Sequence, residues 1–462
     1  MPPARLLTAH NLAHSYFYVA TQKQRPSTEN TMNEWATLDS SFRWRIAHEF
    51  SADAYYGWVL EVVSQYWIGR HFTDRPLWTH WVTVTVPRLR TSSMAFLHIG
   101  GGSIHDPRPS GPQKRFLDLA LGAGTVVVEL WQVPNQPVSF FESPTTARSE
   151  DDFVAYLLSR HQGDQRSLPR YPMVKSCSAA MTAVQELLFE VEGGRSVPDH
   201  FVVSGSSKRG WAAWLAGLAD ARVVGIVPVA ISILNVEASI RHHWESLGFI
   251  SEALQPYLDH ALIEGGGQIG KQTAIRVEDP FTYRNEPRMT LPKLIINATG
   301  DEYFPADGTK HYFPYLPDPK LLRILPNTGH SPLGTDVNET ISAWYWALAH
   351  NQHLPSCHFS YPQAGVIELQ SARQPDAVTV WQATNPSNRD FRLKVVGPAA
   401  FTAHEIALGK NGHGVVRVRT PVNGFTAFFV EARYRLALGR DLKVTSEVQI
   451  VPDHLPHRWN GD

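Results

Sequence analysis

The sequence predicts an α/β fold with a mostly parallel sheet, helices on both of its faces and a cap insertion, followed by an all-β sandwich. Three observations predict it. Strand-like and helical patterns alternate between about residues 55 and 350, the rhythm of parallel strands joined by helical crossovers. Several strands, among them VVVEL (126–130) and LIINA (294–298), are apolar with little alternation, as a sheet covered on both faces requires. After Pro355 the helical patterns stop and short strands follow one another, which suits a sandwich of immunoglobulin or fibronectin III type.

Residues 1–50 read as a polar, Trp-punctuated lead-in, with some helix around Asn33–Ser40. The α/β unit is expected over 51–354. Its first strands are Tyr56–Gln65 and Trp78–Val86, rich in β-branched and aromatic residues. Ser93–Ile99 is a short strand that stops at Gly100-Gly101-Gly102. A helix near Phe116–Leu121 precedes the strand Thr125–Trp131. Helices near Glu150–Arg160 and Met173–Val191 lead to the strand Phe201–Ser204, the helix Arg209–Ala219 and the strand Val223–Ala230. A less regular stretch, about 235–290, is the expected cap, broken at Gly265-Gly266-Gly267. Strands Lys293–Ala298 and Leu321–Leu325 and a helix over Asp336–His350 close the unit. The sandwich, 355–462, is expected to use Val378–Ala383, Phe391–Val396, Gly414–Arg419, Thr426–Ala432 and Leu442–Ile450.

Composition narrows the partners. The 462 residues carry 42 basic and 43 acidic side chains, for a formal net charge of −1. No basic stripe stands out, so nucleic acid is not an expected partner. No uncharged apolar segment reaches about 18 residues, so no transmembrane helix is expected. The first two dozen residues lack a signal-like apolar core and cleavage site. Cys177 and Cys357 form no metal or redox motif, and a single disulfide between them stays open. No cofactor or metal is expected; neighbouring His242 and His243 face different ways on a helix.

The chemistry concentrates at Val202-Val203-Ser204-Gly205-Ser206-Ser207-Lys208-Arg209-Gly210. A strand runs through a sharp turn into a helix, the setting in which G-x-S lifts a serine hydroxyl above a sheet. The second glycine of such an elbow normally stands two residues after the serine. Here Arg209 holds that place and Gly210 follows. A plain capping serine would explain the tripeptide alone. It would not explain Lys208 and Arg209, two cations in the first helical turn, where the helix dipole disfavours each by about 0.3–1 kcal/mol. One of them could meet an anionic substrate or a developing oxyanion, and the other could anchor the loop through a carboxylate.

A nucleophilic serine needs a base, and in this fold the order along the chain is Ser, acid, His. Strand 294–298 leads into Thr299-Gly300-Asp301-Glu302, and strand 321–325 leads into Pro326-Asn327-Thr328-Gly329-His330. Both positions carry the right residue type in the right order. Asp301 is the expected acid, with Glu302 its competitor, and His330 the expected base. Gly100, Gly101 and Gly102 follow Leu97-His98-Ile99, close to the HGGG type, and offer backbone donors for an oxyanion beside the Lys208 N–H. In the cap, Arg241–Ser246 could shape the pocket, with Trp244 and Glu245 as substrate contacts.

Taken together, SQYWIGRHFTDRPLWTHW (64–81), the glycines at 100–102, YPMVKSCSAAM (171–181), SGSSKRGWAAWLAG (204–217), PKLIINATGDEYF (292–304) and LPNTGHS (325–331) resemble the PhoPQ-activated pathogenicity-related proteins, which include autocrine proliferation repressor-like proteins. VWQATNPSNRDFR (380–392) and GFTAFFVEARY (424–434) continue the resemblance. It implies an α/β-hydrolase domain with a β-rich tail, a Ser207–Asp301–His330 triad, and an exported or periplasmic setting. The run G-S-S-K-R-G is also similar, locally, to the elbow of glucuronoyl esterases. The expected function is acyl transfer from an ester, carboxylate-bearing if a cation meets it, to water. A peptidase for short peptides, with Glu245 holding a substrate amino group, is the alternative. A non-catalytic protein that keeps the fold is the rival class, with the sandwich contacting a glycan or protein.

Overall fold

A computed structural model describes residues 18–19, 32–194, 197–263 and 273–459. Most of the expected lead-in and the Gly265–Gly267 break therefore lie outside the described residues.

In chain order the first part holds β1 (Tyr18–Val19), α1 (Asn33–Ala36), β2 (Arg43–Ser51), β3 (Tyr55–Tyr66), β4 (Leu77–Pro87), β5 (Ala95–Ile99), α2 (Lys114–Ala123) and β6 (Val126–Leu130). A hairpin of β7 (Val138–Phe140) and β8 (Ser143–Arg148) leads to α3 (Glu150–Arg160) and α4 (Arg170–Glu192). Next come β9 (Phe201–Ser206), α5 (Lys208–Ala219), β10 (Val223–Val229), the cap helices α6 (Val236–Leu247), α7 (Gln255–Asp259) and α8 (Thr273–Glu278), β11 (Lys293–Ala298), β12 (Lys320–Leu325) and α9 (Val337–Ala349). The C-terminal part adds β13 (Cys357–Ser360), β14 (Val366–Ser371), β15 (Ala377–Asn385), α10 (Leu393–Val396), β16 (Thr402–Ile406), β17 (His413–Arg417), β18 (Phe425–Arg435), β19 (Asp441–Thr445) and β20 (Gln449–Val451).

The main sheet has ten strands in the order β1-β2-β3-β4-β6-β5-β9-β10-β11-β12. From β6 onward neighbours are parallel, while β4 is antiparallel to both β3 and β6. This is the α/β-hydrolase fold. The pleat sorts side chains between two cores. Val203, Ile226, Ile295 and Ile324 join α4 and α5 on one face. Val202, Val227, Ile296 and Leu325 join α2 and α9 on the other. Each such side chain contributes about 1.5–3 kcal/mol when fully buried, which is why these strands are apolar on both sides.

Four local expectations change. The lead-in already supplies β2, a strand of the main sheet, because its Trp44 faces the core. The helix expected over Asn33–Ser40 stops at Ala36. Phe391–Val396, expected as a strand, ends in the short helix α10 and sends Phe391 into the core. Leu442–Ile450 is two strands, β19 and β20, both paired to β18. Cys177 and Cys357 are free thiols.

The C-terminal strands form a three-stranded sheet, β13-β14-β17, and a five-stranded one, β16-β15-β18-β19 with β20 also on β18. Ile367, Leu369 and Val416 of the first pack with Val378, Val380, Phe428 and Val430 of the second. The other side of the larger sheet rests on the hydrolase body. Phe425 and Phe429 there join its first core, while Tyr434, on the sandwich side, and its cross-strand neighbour Leu442 join Trp344 and Tyr345 of α9. Arg323 of β12 is 2% exposed and pairs with Glu431 of β18 and, at 3.0 Å, with Asp336.

Candidate active site

Ser207 sits between β9 and α5 with φ 57° and ψ −125°, a region that side chains with a Cβ seldom occupy. Its N–H is tied to Val229 O at 2.8 Å. Glycine is required at two places around it. A Cβ on Gly205 would lie 2.4 Å from Arg209 O, and one on Gly210 would lie 2.9 Å from Gly205 O. Gly210 thus takes over the close approach that the elbow pattern assigns one residue earlier, and Arg209 is free to carry a long side chain.

The two cations after Ser207 find carboxylates. Lys208 Nζ is 2.8 Å from Asp151, and Arg209 pairs with Glu150. Both acids stand in the first turn of α3, where the helix dipole favours negative charge. The cost of cations on one helix N-terminus is offset by anions on another. The Arg209 guanidinium holds the Glu150 carboxyl below its usual value although burial pushes it up. Lys208 Nζ also lies 5.7 Å from the centre of the Tyr303 ring.

The loops after β11 and β12 bring Asp301 and His330 together. His330 Nδ1 is 2.9 Å from Asp301 Oδ2, and Asp301 is 3% exposed. Tyr303 N–H donates to Asp301 Oδ1 at 2.8 Å. Glu302, the competitor, instead accepts the His330 backbone N–H at 2.7 Å; it fixes the loop rather than the ring. The His330 ring rests against Tyr303, with centroids 4.3 Å apart. Both loops lean on the C-terminal part: Leu393 N–H donates to Gly300 O at 2.9 Å, and Asn327 and Phe401 exchange two hydrogen bonds of 2.8 Å.

Ser207 and His330 line one pocket of about 300 Å³ with Gly100, Gly101, His98, Gln113, Arg115 and Glu129. No hydrogen bond joins Ser207 Oγ to His330 among the described residues; such contacts tighten in substrate complexes. Gly100 gives its N–H to Leu130 O at 2.6 Å, and Gly102 does not line the pocket. Gly101 is the loop residue at the pocket whose N–H makes no bond to the protein among the described residues. Arg209 packs beneath it, 3.0 Å from where a Cβ would be.

A second cavity, of about 60 Å³, opens on the other side of Ser207 under the cap. Trp211, Ile231, Ile233, Val236, Ile240 and Phe304 line it, with Lys208, Asp151 and Tyr303 at the polar end. Trp244 and Glu245, expected as substrate contacts, line neither space. They sit on the face of α6 turned to the C-terminal tail: Trp244 Nε1 donates to Arg458 O at 3.1 Å, and Glu245 pairs with Arg241 at 3.1 Å. The cap residues at the site are Val236 and Ile240 of the same helix, with Leu254, Tyr257, Leu262, Ile263 and Ile275 from the rest of the cap. Glu150, Asp151, Tyr303 and Glu129 escaped the sequence reading. Only Glu129 left a signal there, as a carboxylate inside an otherwise apolar strand.

Among the described residues no cluster of His, Cys, Asp or Glu could hold a metal ion, and no helix is long and apolar enough to cross a membrane.

The chain is similar to several known proteins. The autocrine proliferation repressor protein A of Dictyostelium discoideum is 32% identical over 90% of this chain and 89% of its own length. Among solved structures, acetyl xylan esterase 1 of a Thermoanaerobacterium species covers 69% of this chain and 91% of its own at 14% identity, with a TM-score of 0.46. A glucuronoyl esterase of Solibacter usitatus covers 73% and 89% at 12% identity, with a TM-score of 0.40. Residues 32–392 match the family described as PhoPQ-activated pathogenicity-related protein, and the chain belongs to that family.

Proposed function

We propose that the protein is a serine hydrolase that carries an acyl group from an ester to Ser207 and then to water. The observation that supports this best is the buried Asp301 paired at 2.9 Å with His330, in a pocket shared with a serine on a strained turn. His330 would take the Ser207 proton while Asp301 holds its Nδ1–H and balances the imidazolium. The Lys208 and Gly101 N–H groups would receive the oxyanion. His330 would then protonate the departing alcohol, and water would release the acid.

Lys208 and Arg209 already have protein carboxylates, so the reading favours an uncharged ester over a carboxylate-bearing one. The peptidase alternative loses its amino-group anchor, since Glu245 is turned to the tail.

Fluorophosphonate labelling is the test. Wild type should label, and Ser207→Ala and His330→Ala, both folded, should not. Folded wild-type protein that fails to label would leave a non-catalytic role for the fold.

A further inference from the structure

We infer that the two spaces meeting at Ser207 divide the substrate: a short, uncharged apolar acyl group enters the cavity under the cap, and a hydroxyl-bearing alcohol occupies the pocket of His330 and Glu129. The inference rests on the serine-hydrolase reading above.

The direction follows from the proton. When the Ser207 Oγ–carbon bond has formed, the bond from that carbon to the alcohol oxygen breaks, and the oxygen leaves with the proton held by His330. The alcohol therefore has to lie on the side that His330 lines, the pocket of about 300 Å³. The acyl chain is left with the other side. There the walls are Ile231, Ile233, Val236, Ile240, Trp211 and Phe304, each 8% exposed or less. A volume of about 60 Å³, at roughly 10–15 Å³ per water-sized group, admits about four to six non-hydrogen atoms. Acetyl to butyryl chains fit; long chains would have to displace a packed core. No unpaired cation waits in that cavity for an anionic acyl group, because Lys208 is held by Asp151 and Arg170 by the fully buried Glu278 at 2.8 Å.

The alcohol side places polar groups among apolar walls that include Phe116, Trp131 and Leu333. Glu129 is 3% exposed on a central strand, a place otherwise filled by valine and leucine. The backbone N–H of Gln113 reaches its two oxygens at 3.1 and 3.4 Å. Arg115, His98 and Gln113 share the pocket, so a hydroxylated alcohol finds both donors and acceptors where an alkyl alcohol would leave them unmatched. Burial raises the Glu129 carboxyl to about 8, so near neutral pH it keeps a proton to donate.

The experiment compares kcat/KM of full-length protein on 1-acetylglycerol and propyl acetate, which share acyl group and chain length, and on p-nitrophenyl acetate, butyrate and decanoate. We expect the glycerol ester to be favoured by about tenfold or more, and the decanoate to fall at least about a hundredfold below the butyrate. In Glu129→Leu the ratio between the two acetates should move toward one, and in Glu129→Gln, which keeps a donor and an acceptor, most of it should survive. Equal use of both acetates by wild type, or decanoate turned over as well as butyrate, overturns the inference. Fluorophosphonate labelling of the same preparation separates the two readings: labelled protein without these preferences refutes only the substrate assignment, whereas unlabelled folded protein refutes the hydrolase itself.

Discussion

Replacing Glu129 by Gln tests how the site is built without touching a residue of the proposed triad. The carboxyl has an ordinary value of 4.5 and stands near 8 in the fold, with burial the largest cause and the Gln113 N–H and Arg115 opposing it. Because the folded value is raised, the neutral form is the one the fold favours. Its contribution is fully present below pH 4.5 and is lost as pH rises through about 8. Between those limits wild type should lose about 1.4 kcal/mol per pH unit, close to 5 kcal/mol in all. Glutamine has the same shape, no charge and no titration. The facing groups do not confuse the reading: Arg115 stays charged, Gln113 and the Thr83 opposite on β4 do not ionise, and burial lowers His98 to about 3. Urea unfolding at each unit from pH 5 to 9 would measure it. The stability of Glu129→Gln relative to wild type should climb steadily from pH 5 to 8 and level off above. Parallel curves across that range would refute a protonated, buried Glu129 and with it the account of the pocket floor.

Four further outcomes are expected. Asp301→Asn should cut kcat on a short-chain ester by about 10⁴, the scale of a triad histidine left in the wrong tautomer. Glu302→Gln should cost about tenfold, since it only loosens the loop that Glu302 holds through the His330 N–H. Arg209→Ala should lower unfolding stability by about 3–5 kcal/mol by stranding Glu150, and adding Glu150→Gln should recover much of it in the same denaturation assay. Gly205→Ala should abolish labelling at Ser207 or soluble expression, because its methyl would meet Arg209 O at 2.4 Å.

The strands of the hydrolase sheet and the loops that carry Ser207, Asp301 and His330 were legible because they are local. A strand buried on both faces has to be apolar, and a residue at its end falls on the rim of the sheet wherever the rest of the chain goes. The choice between Asp301 and Glu302 was not legible. Adjacent residues at a strand end point to different places, and only the folded loop shows Asp301 on the ring and Glu302 on the backbone. The partners of Lys208 and Arg209 were hidden for another reason. They lie more than fifty residues earlier, on α3, and meet α5 only after the sheet has formed. Trp244 and Glu245 were misplaced because spacing fixes which residues share a helix face but not which face meets the site. Phe391–Val396 read as a strand from its apolar residues, whereas the structure turns that segment into a brace for Gly300.

That brace has a consequence for synthesis. A ribosome releases the chain from the N-terminal end, and the sheet with Ser207, Asp301 and His330 emerges long before Leu393 and Phe401, which hold the loops of Asp301 and His330. Arg323, sunk in β12, waits longer still for Glu431. A nascent chain stopped after α9 would carry Ser207, Asp301 and His330 and yet a buried cation with Asp336 but without Glu431, and two untethered loops. Translation of the last strands is thus the step that completes this arrangement, and a truncated gene product would be a client for proteolysis.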